Sequence, residues 1–483
     1  MTIMDSVDAV RAHIEKELGK RHANRVLHGH PSPTLWLERD IPVAQILEEG
    51  ARPRGDIRKA LILYVATPYC LPTQPDRCGF CLFPSEVYRD PGQLVTYLSY
   101  LEREGSLYRP WLAERDVVAL YFGGGTSNLY RPAQYGPLME LVRRACPRLR
   151  PDAEITLEGV AQLFTKPKLD AMRDSGITRV SMGVQQFDRE LLASSGRKQD
   201  LAHVLAMLEY CELIGLGSNV DLIYGWPGQT IPHMLADLQI ILDHRIPHLT
   251  LYELNVAGRS DFARHRREEL PSVRQNLEMY RVAHTFLEAN GYRQATPYDW
   301  ERIDAGPAAT LAYERFARAP FNREPDGWIT GYDVWGWGFA GLSKCVGLPD
   351  SPGWTFMNCR RVEDYFCQLD AGRAPAERGY HFEPPDQRLY VLFQMLETMR
   401  IDRVLYERLY GVDPFDEHVA IWKALLDREW VRVEREHLTL IGDGVFYTPL
   451  VQGLLAADRV AELRRNRVAG AGSATEALRE VGP

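Results

Sequence analysis

Six short apolar runs recur between residues 60 and 254, each leading into an amphipathic or polar stretch. That alternation constrains the fold more than any other feature of the chain. The runs are ALILYVA (60–66), VVALYF (117–122), EITLE (154–158), ITRVSMGV (177–184), SNVDLIY (218–224) and LTLYEL (249–254). Helical patterns such as LVTYLSYLERE (94–104), LMELVRRAC (138–146) and DLAHVLAMLEYCELIG (200–215) lie between them. Strands that alternate with helices pair in parallel, and strands apolar throughout are buried on both faces. The pattern predicts an α/β fold, a partial TIM-type barrel of six strand–helix units. Such barrels carry their chemistry at the C-terminal ends of the strands, and the unusual residues of this sequence fall there.

The barrel is expected over 59–300. Residues 1–58 precede it and read as an N-terminal cover segment, with the proline-bearing loop HGHPSPTLW at 28–36. Residues 301–380 read as a connecting region rich in glycine and aromatics, GWITGYDVWGWGFAG at 327–341 being the extreme case. Residues 381–462 predict a small α+β unit of winged-helix type: two helical patterns, then the strand pair WVRVE and LTLIG. Residues 463–483 read as a flexible tail. The net charge of −8 in 483 residues, with no long basic run, argues against nucleic acid as a partner. No apolar run approaches the ~20 residues that span a bilayer. The charged amphipathic N-terminus lacks a signal-peptide core, so the expectation is a cytoplasmic monomer.

Three of the eight cysteines cluster in CLPTQPDRCGFC, with Cys70, Cys78 and Cys81 spaced C-x7-C-x2-C just past the first strand. The other five are scattered and read as small buried residues. Clustered thiolates select zinc or an iron–sulfur cluster. A structural zinc site takes a fourth Cys or His. None lies in 82–107, and the next histidine is His203, so only a distant ligand would complete such a site. A cubane cluster held by three cysteines instead leaves one iron open to chelate a substrate or cofactor.

These residues resemble the radical S-adenosylmethionine enzymes, and within them the oxygen-independent coproporphyrinogen III oxidase family, over roughly residues 60–460. The resemblance implies a partial barrel of the radical SAM kind, a 4Fe–4S cluster on Cys70, Cys78 and Cys81, and S-adenosylmethionine on the open iron. Reductive cleavage of that cofactor gives a 5′-deoxyadenosyl radical, with the electron coming from a donor such as flavodoxin or ferredoxin. The family spacing is C-x3-C-x2-C, so this chain has four extra residues in LPTQPDR. Their turn-forming composition predicts an outward surface excursion.

Further cofactor contacts follow by position. Phe80, between the last two cysteines, would stack on adenine. Gly124, Gly125 and Thr126, in the GGGT run after the second strand, match the family's methionine-amine site, where glycine permits close backbone approach. Glu158 ends the third strand, and Gln185 follows the fourth. Arg197, in SSGRKQD, would pair with the methionine carboxylate. Asp221 would take the ribose diol, and Tyr64 matches a family tyrosine near the cofactor. No general acid or base is assigned.

The chain also departs from the pattern. The family motif Tyr-x-His-x-Pro-Phe-Cys reads YVATPYC here, with Ala66 at the histidine position and Tyr69 at the phenylalanine. GGGTP becomes GGGTS at Ser127. These changes argue against the oxidase proper, and the long N-terminal segment argues against the haem chaperones. The resemblance allows oxidases, porphyrin-ring-opening methyltransferases and natural-product C-methyltransferases or cyclopropanases to keep such a segment, and the PSPTLW stretch (31–36) favours the last group, small-molecule enzymes using a second S-adenosylmethionine as one-carbon donor. Anaerobic porphyrinogen oxidation and haem chaperoning are the alternatives.

Overall fold

All six apolar runs are strands of one sheet. The computed structural model describes residues 4–22, 29–50, 52–256, 260–309, 311–348 and 351–480. β1 (Ile57–Thr67) leads into a short parallel pair, β2 (Tyr69–Cys70) and β3 (Glu86–Val87). β4 (Val117–Gly124), β5 (Leu149–Val160), β6 (Arg179–Gln185), β7 (Gly217–Tyr224) and β8 (His248–Glu253) follow. β1 and β4 to β8 pair in parallel in chain order. The intervening helices start on local signals. Asp90 and Gln93 form a capping box at Pro91–Leu112, and the Asp200 side chain accepts from Ala202 N at Leu201–Leu213.

Side chains alternate between the two surfaces of each strand. Leu61, Leu63, Leu120, Leu157, Val180, Val220 and Leu249 join the main apolar core beneath the helices. The opposite surface begins apolar, with Ala60, Ile62 and Ala119. From β5 onward it turns polar: Thr156, Ser181, Asn219 and Thr250 are all buried there. The expectation of strands apolar on both faces therefore holds only for the first two. The inner surface of the rest is built from hydrogen-bonding groups.

The connecting region is a larger correction. β9 (Tyr292–Gln294) and β10 (Asp299–Arg302) extend the sheet antiparallel beyond β8. β11 (Phe321–Arg323), β12 (Ile329–Trp337), β13 (Leu342–Cys345), β14 (Trp354–Asn358) and β15 (Ala376–His381) build its other side. β12 lies parallel against β1, from Ile57↔Ile329 to Val65↔Trp337. The Gly- and Trp-rich stretch is thus a seventh parallel strand, not a linker. Its glycines serve close chain approach: a Cβ on Gly336 would collide with the backbone of Leu342. Helix Ala312–Arg318 lays Tyr313 and Phe316 over the inner face of β1, β4 and β12. The sheet path stays open, its ends being β15 and β9.

β16 (Arg400–Asp402), β17 (Val431–Val433) and β18 (His437–Leu440) form the small separate sheet. Its first strand was not foreseen. The N-terminal segment touches both parts of the molecule: helix Val43–Gly50 packs on the barrel helix Pro91–Leu112, and Glu38 bridges to Gly379 of β15. Helix Val7–Glu17 packs on Val419–Leu426. In the proline loop the buried His30 ring bonds Asp386 at 2.8 Å, and Trp36 Nε1 donates to the Pro31 carbonyl. His28, at the start of that loop, lies outside the described residues. Helix Thr448–Glu480 runs through most of the expected flexible tail. The alanines, arginines and glutamates of that stretch are good helix formers. Among the described residues no helix is long and apolar enough to cross a membrane.

Candidate active site

β1 delivers the cysteine loop to the C-terminal edge of the sheet. The loop closes on itself through Glu86 N to Pro68 O and Tyr88 N to Cys70 O, both 2.8 Å. Arg77, Cys78 and Gly79 are left-handed in succession, with φ of 51°, 56° and 74°, and Cys81 N donates to Arg77 O. This tight turn brings all three thiols to one place. Each lies within electrostatic reach of the others and of Arg197. Thr126 Oγ1 donates to Cys70 Sγ at 3.6 Å, and Arg197 Nε donates to Cys78 Sγ at 3.3 Å.

Burial raises the Cys70 thiol and pushes Cys81 up to about 11. Such thiols lose their protons on metal coordination. Among the described residues no three Cys, His, Asp or Glu side chains converge as a single metal ion requires. A cubane takes each thiolate at a separate corner, and three soft donors on one loop beside a cation fit it.

The glycine run is dictated by the end of β1. Gly125 N and Thr126 N donate to Thr67 O and Tyr69 O, at 2.7 and 2.8 Å. A Cβ on Gly125 would lie 2.6 Å from Tyr69 O, and Gly124 has φ of 102°. Gly123 sits below a meeting of two functional groups. A Cβ there would lie 2.7 Å from the Tyr64 hydroxyl and 3.1 Å from Glu158 Oε2. Tyr64 stacks on Tyr121, centroids 5.9 Å apart, and Tyr121 Oη stands 3.5 Å from Glu158 Oε2.

Burial first, and then the neighbouring Asp221 charge, hold the Glu158 carboxyl up at about 8, against the opposing pull of Arg197. Asp221 is lifted by burial to about 7. It accepts from Ser181 Oγ at 2.9 Å and Asn219 Nδ2 at 3.0 Å. A carboxylate has about four acceptor positions, so a ribose hydroxyl remains compatible with these bonds. Gln185, at φ 71°, points its amide toward Gly183, whose carbonyl accepts from Arg197 Nη1 at 2.9 Å. Arg197 thus joins the thiol group to the carboxylate group.

Phe80, expected to stack on adenine, is itself held among other aromatic rings. Its ring packs edge-on against Trp226 at 5.1 Å and near Phe262 at 6.3 Å, with the Arg197 guanidinium 5.9 Å over it. Trp226 and Phe262 were not foreseen. Trp226 lies in GWPGQT just past β7, where a strand-end aromatic could have flagged it; nothing in the sequence marks Phe262. Ala66, at the position of the family histidine, is buried, and its carbonyl accepts from Tyr97 Oη at 2.7 Å.

The four extra residues do not make a free excursion. Pro72 and Gln74 are exposed, but Thr73 and Pro75 are half-buried, and Thr73 Oγ1 accepts from Cys78 N at 2.8 Å. Beside the loop is a cavity of about 530 Å³ lined by Arg77, Cys81, Ser85, Arg264 and Arg360, among others.

The Radical SAM superfamily pattern matches residues 75–241. An oxygen-independent coproporphyrinogen III oxidase from Escherichia coli is 34% identical over 397 residues, covering 80% of this chain and 83% of that protein. A heme chaperone HemW from Buchnera aphidicola is 26% identical over 254 residues, covering 53% of this chain and 66% of the chaperone. The solved structure of the Escherichia coli coproporphyrinogen III oxidase (HemN), described as a radical SAM enzyme, superposes with a TM-score of 0.74 at 25% identity. It covers 88% of this chain and 96% of that one.

Proposed function

This chain belongs to the oxygen-independent coproporphyrinogen III oxidase family within the radical SAM superfamily, and from that premise we propose that it oxidatively decarboxylates propionate side chains of a porphyrinogen. The observation that carries the reading is the extent of the similarity to the oxidase: the solved oxidase structure covers 88% of this chain and is itself covered to 96%, and the sequence match covers 80% of this chain. The chaperone likeness spans a smaller share of both chains.

The family implies a 4Fe–4S cluster and S-adenosylmethionine, which together supply a 5′-deoxyadenosyl radical once an electron arrives. In this reading the chain's own residues bind and orient. Cys70, Cys78 and Cys81 supply the three thiolates. Arg197 offers a two-pronged cation to the methionine carboxylate. Glu158 and Tyr64, whose polar atoms meet beside Gly123, would contact the cofactor, and Asp221 would take the ribose hydroxyls. Helix Ala312–Arg318 and the tyrosines at 64, 121 and 313 pack the inner barrel and exclude water. The electron would come from a flavodoxin- or ferredoxin-type donor.

The one-carbon-transfer expectation loses ground here. Its N-terminal argument spoke against the chaperones and not against the oxidase, whose structure is covered to 96% by this chain. Ala66 remains a real departure from the family motif. A second S-adenosylmethionine is not needed for the reading. The test is anaerobic incubation with coproporphyrinogen III, S-adenosylmethionine and a low-potential reductant. Carbon dioxide release with matching 5′-deoxyadenosine supports it. Cofactor cleavage without loss of carbon dioxide from this or related porphyrinogens counts against it.

A further inference from the structure

We propose that the four extra residues between the first two cysteines are a positioning element for the cluster, with the Thr73 hydroxyl as the group that sets Cys78. The inference rests on the reading that Cys78 is a cluster ligand, and it concerns a segment the family spacing lacks.

Three consecutive residues of the segment each engage the machinery. Thr73 Oγ1 accepts from Cys78 N at 2.8 Å and donates to Pro75 O at 2.8 Å, so one hydroxyl bridges the extra turn and the ligand. Gln74 lays its backbone against Gly196, where a Cβ would collide with the Gln74 carbonyl. Gly196 directly precedes Arg197, whose Nε donates to Cys78 Sγ. Pro75 folds over the turn, its Cγ 2.8 Å from where a Cβ on Gly79 would lie, and Phe262 closes the other side.

The turn needs such support. Arg77 and Cys78 are non-glycine residues held at positive φ, a conformation that costs free energy unless its surroundings impose it. The Thr73 bond imposes it at the Cys78 amide. The contact of Gln74 with Gly196 couples the same turn to the arginine that donates to its sulfur. A longer loop would by itself leave the middle thiol more freedom than the shorter family spacing. Here the added residues remove that freedom.

The test uses the full chain, reconstituted anaerobically with iron and sulfide, and compares wild type with Thr73→Val and Thr73→Ser. Iron and sulfide per chain, visible circular dichroism, electron paramagnetic resonance of the reduced cluster, and the rate of cluster loss to a chelator are measured. Thr73→Val is expected to lose its cluster several-fold faster and to show an altered resonance, while Thr73→Ser matches wild type. Should Thr73→Val unfold, Thr73→Ala adds no bulk and carries the same comparison. A valine or alanine variant with wild-type cluster lifetime and spectrum overturns the proposal, as does a serine variant as impaired as valine. A wild-type chain that takes up no four-iron cluster would instead overturn the ligand reading, so the two failures are distinguishable.

Discussion

Arg197 and Cys78, 119 residues apart in sequence, are joined by a 3.3 Å hydrogen bond from Nε to Sγ. The same guanidinium reaches Gly183 O through Nη1. A guanidinium held at both ends is pre-set to receive a carboxylate at little entropic cost. Arg197→Ala should therefore weaken S-adenosylmethionine binding about ten- to a hundredfold, the worth of a charge-assisted hydrogen bond of ~1.5–3 kcal/mol. Iron content should stay at the wild-type value. Calorimetric titration of the reconstituted variant checks this, and unchanged affinity would remove Arg197 from the cofactor site.

Glu158 gives a pH dependence of definite sign. Its carboxyl is raised from the ordinary 4.5 to about 8, and Asp221 is raised from 3.8 to about 7. The folded chain keeps protons that the unfolded chain releases, so these groups contribute a stability that falls as pH rises through that window. Glu158→Gln should flatten the fall between about pH 5 and pH 8 and leave the cofactor-free protein more stable at the upper end. Urea midpoints across pH read this directly. An unaltered slope in the variant would mean that Glu158 is ionised in the folded chain at neutral pH.

Gly125→Ala tests whether the glycine run is built for close approach. The new methyl would stand 2.6 Å from Tyr69 O and 2.9 Å from Thr67 O, both backbone atoms that cannot swing away. Overpacking of this kind costs about 1–3 kcal/mol, and here it would also displace the strand end that leads to Cys70. Gly136→Ala, which meets nothing within 4 Å, is the control. Equal denaturation midpoints for the two variants would contradict the packing account.

The thiols make the simplest prediction. Cys70, Cys78 and Cys81 replaced together by alanine should abolish both the iron–sulfur absorption and S-adenosylmethionine cleavage. Replacing Cys146 and Cys211, which are fully buried in the apolar core, should leave both intact. Full reconstitution of the triple variant would place the cluster elsewhere.

The parallel run from β1 to β8 was legible because each strand is a short apolar block bounded by a helix pattern. The cysteine loop and GGGT were legible as groups at strand ends, whereas Glu158 and Asp221 lie within β5 and β7, and Arg197 lies between two helices beyond β6. β12 was not legible, since its partner β1 lies some 270 residues earlier, as in Ile57↔Ile329. A stretch of alternating glycine and tryptophan also carries no ordinary strand signal. The polar inner face of β5 to β8 was hidden because Thr156, Ser181 and Asn219 look unremarkable singly and become a surface only when register aligns them. Thr73 was hidden for a related reason. A Pro- and Asp-bearing segment reads as a surface loop, and only the fold shows that its hydroxyl turns back to the Cys78 amide.

The most direct test of the proposed function follows one hydrogen. Coproporphyrinogen III deuterated on the propionate side chains is incubated anaerobically with the reconstituted protein, unlabelled S-adenosylmethionine and reductant. The account predicts deuterium in 5′-deoxyadenosine, carbon dioxide in matching amount and no S-adenosylhomocysteine. Unlabelled 5′-deoxyadenosine with no carbon dioxide, together with S-adenosylhomocysteine and a product heavier by a one-carbon unit, would contradict it.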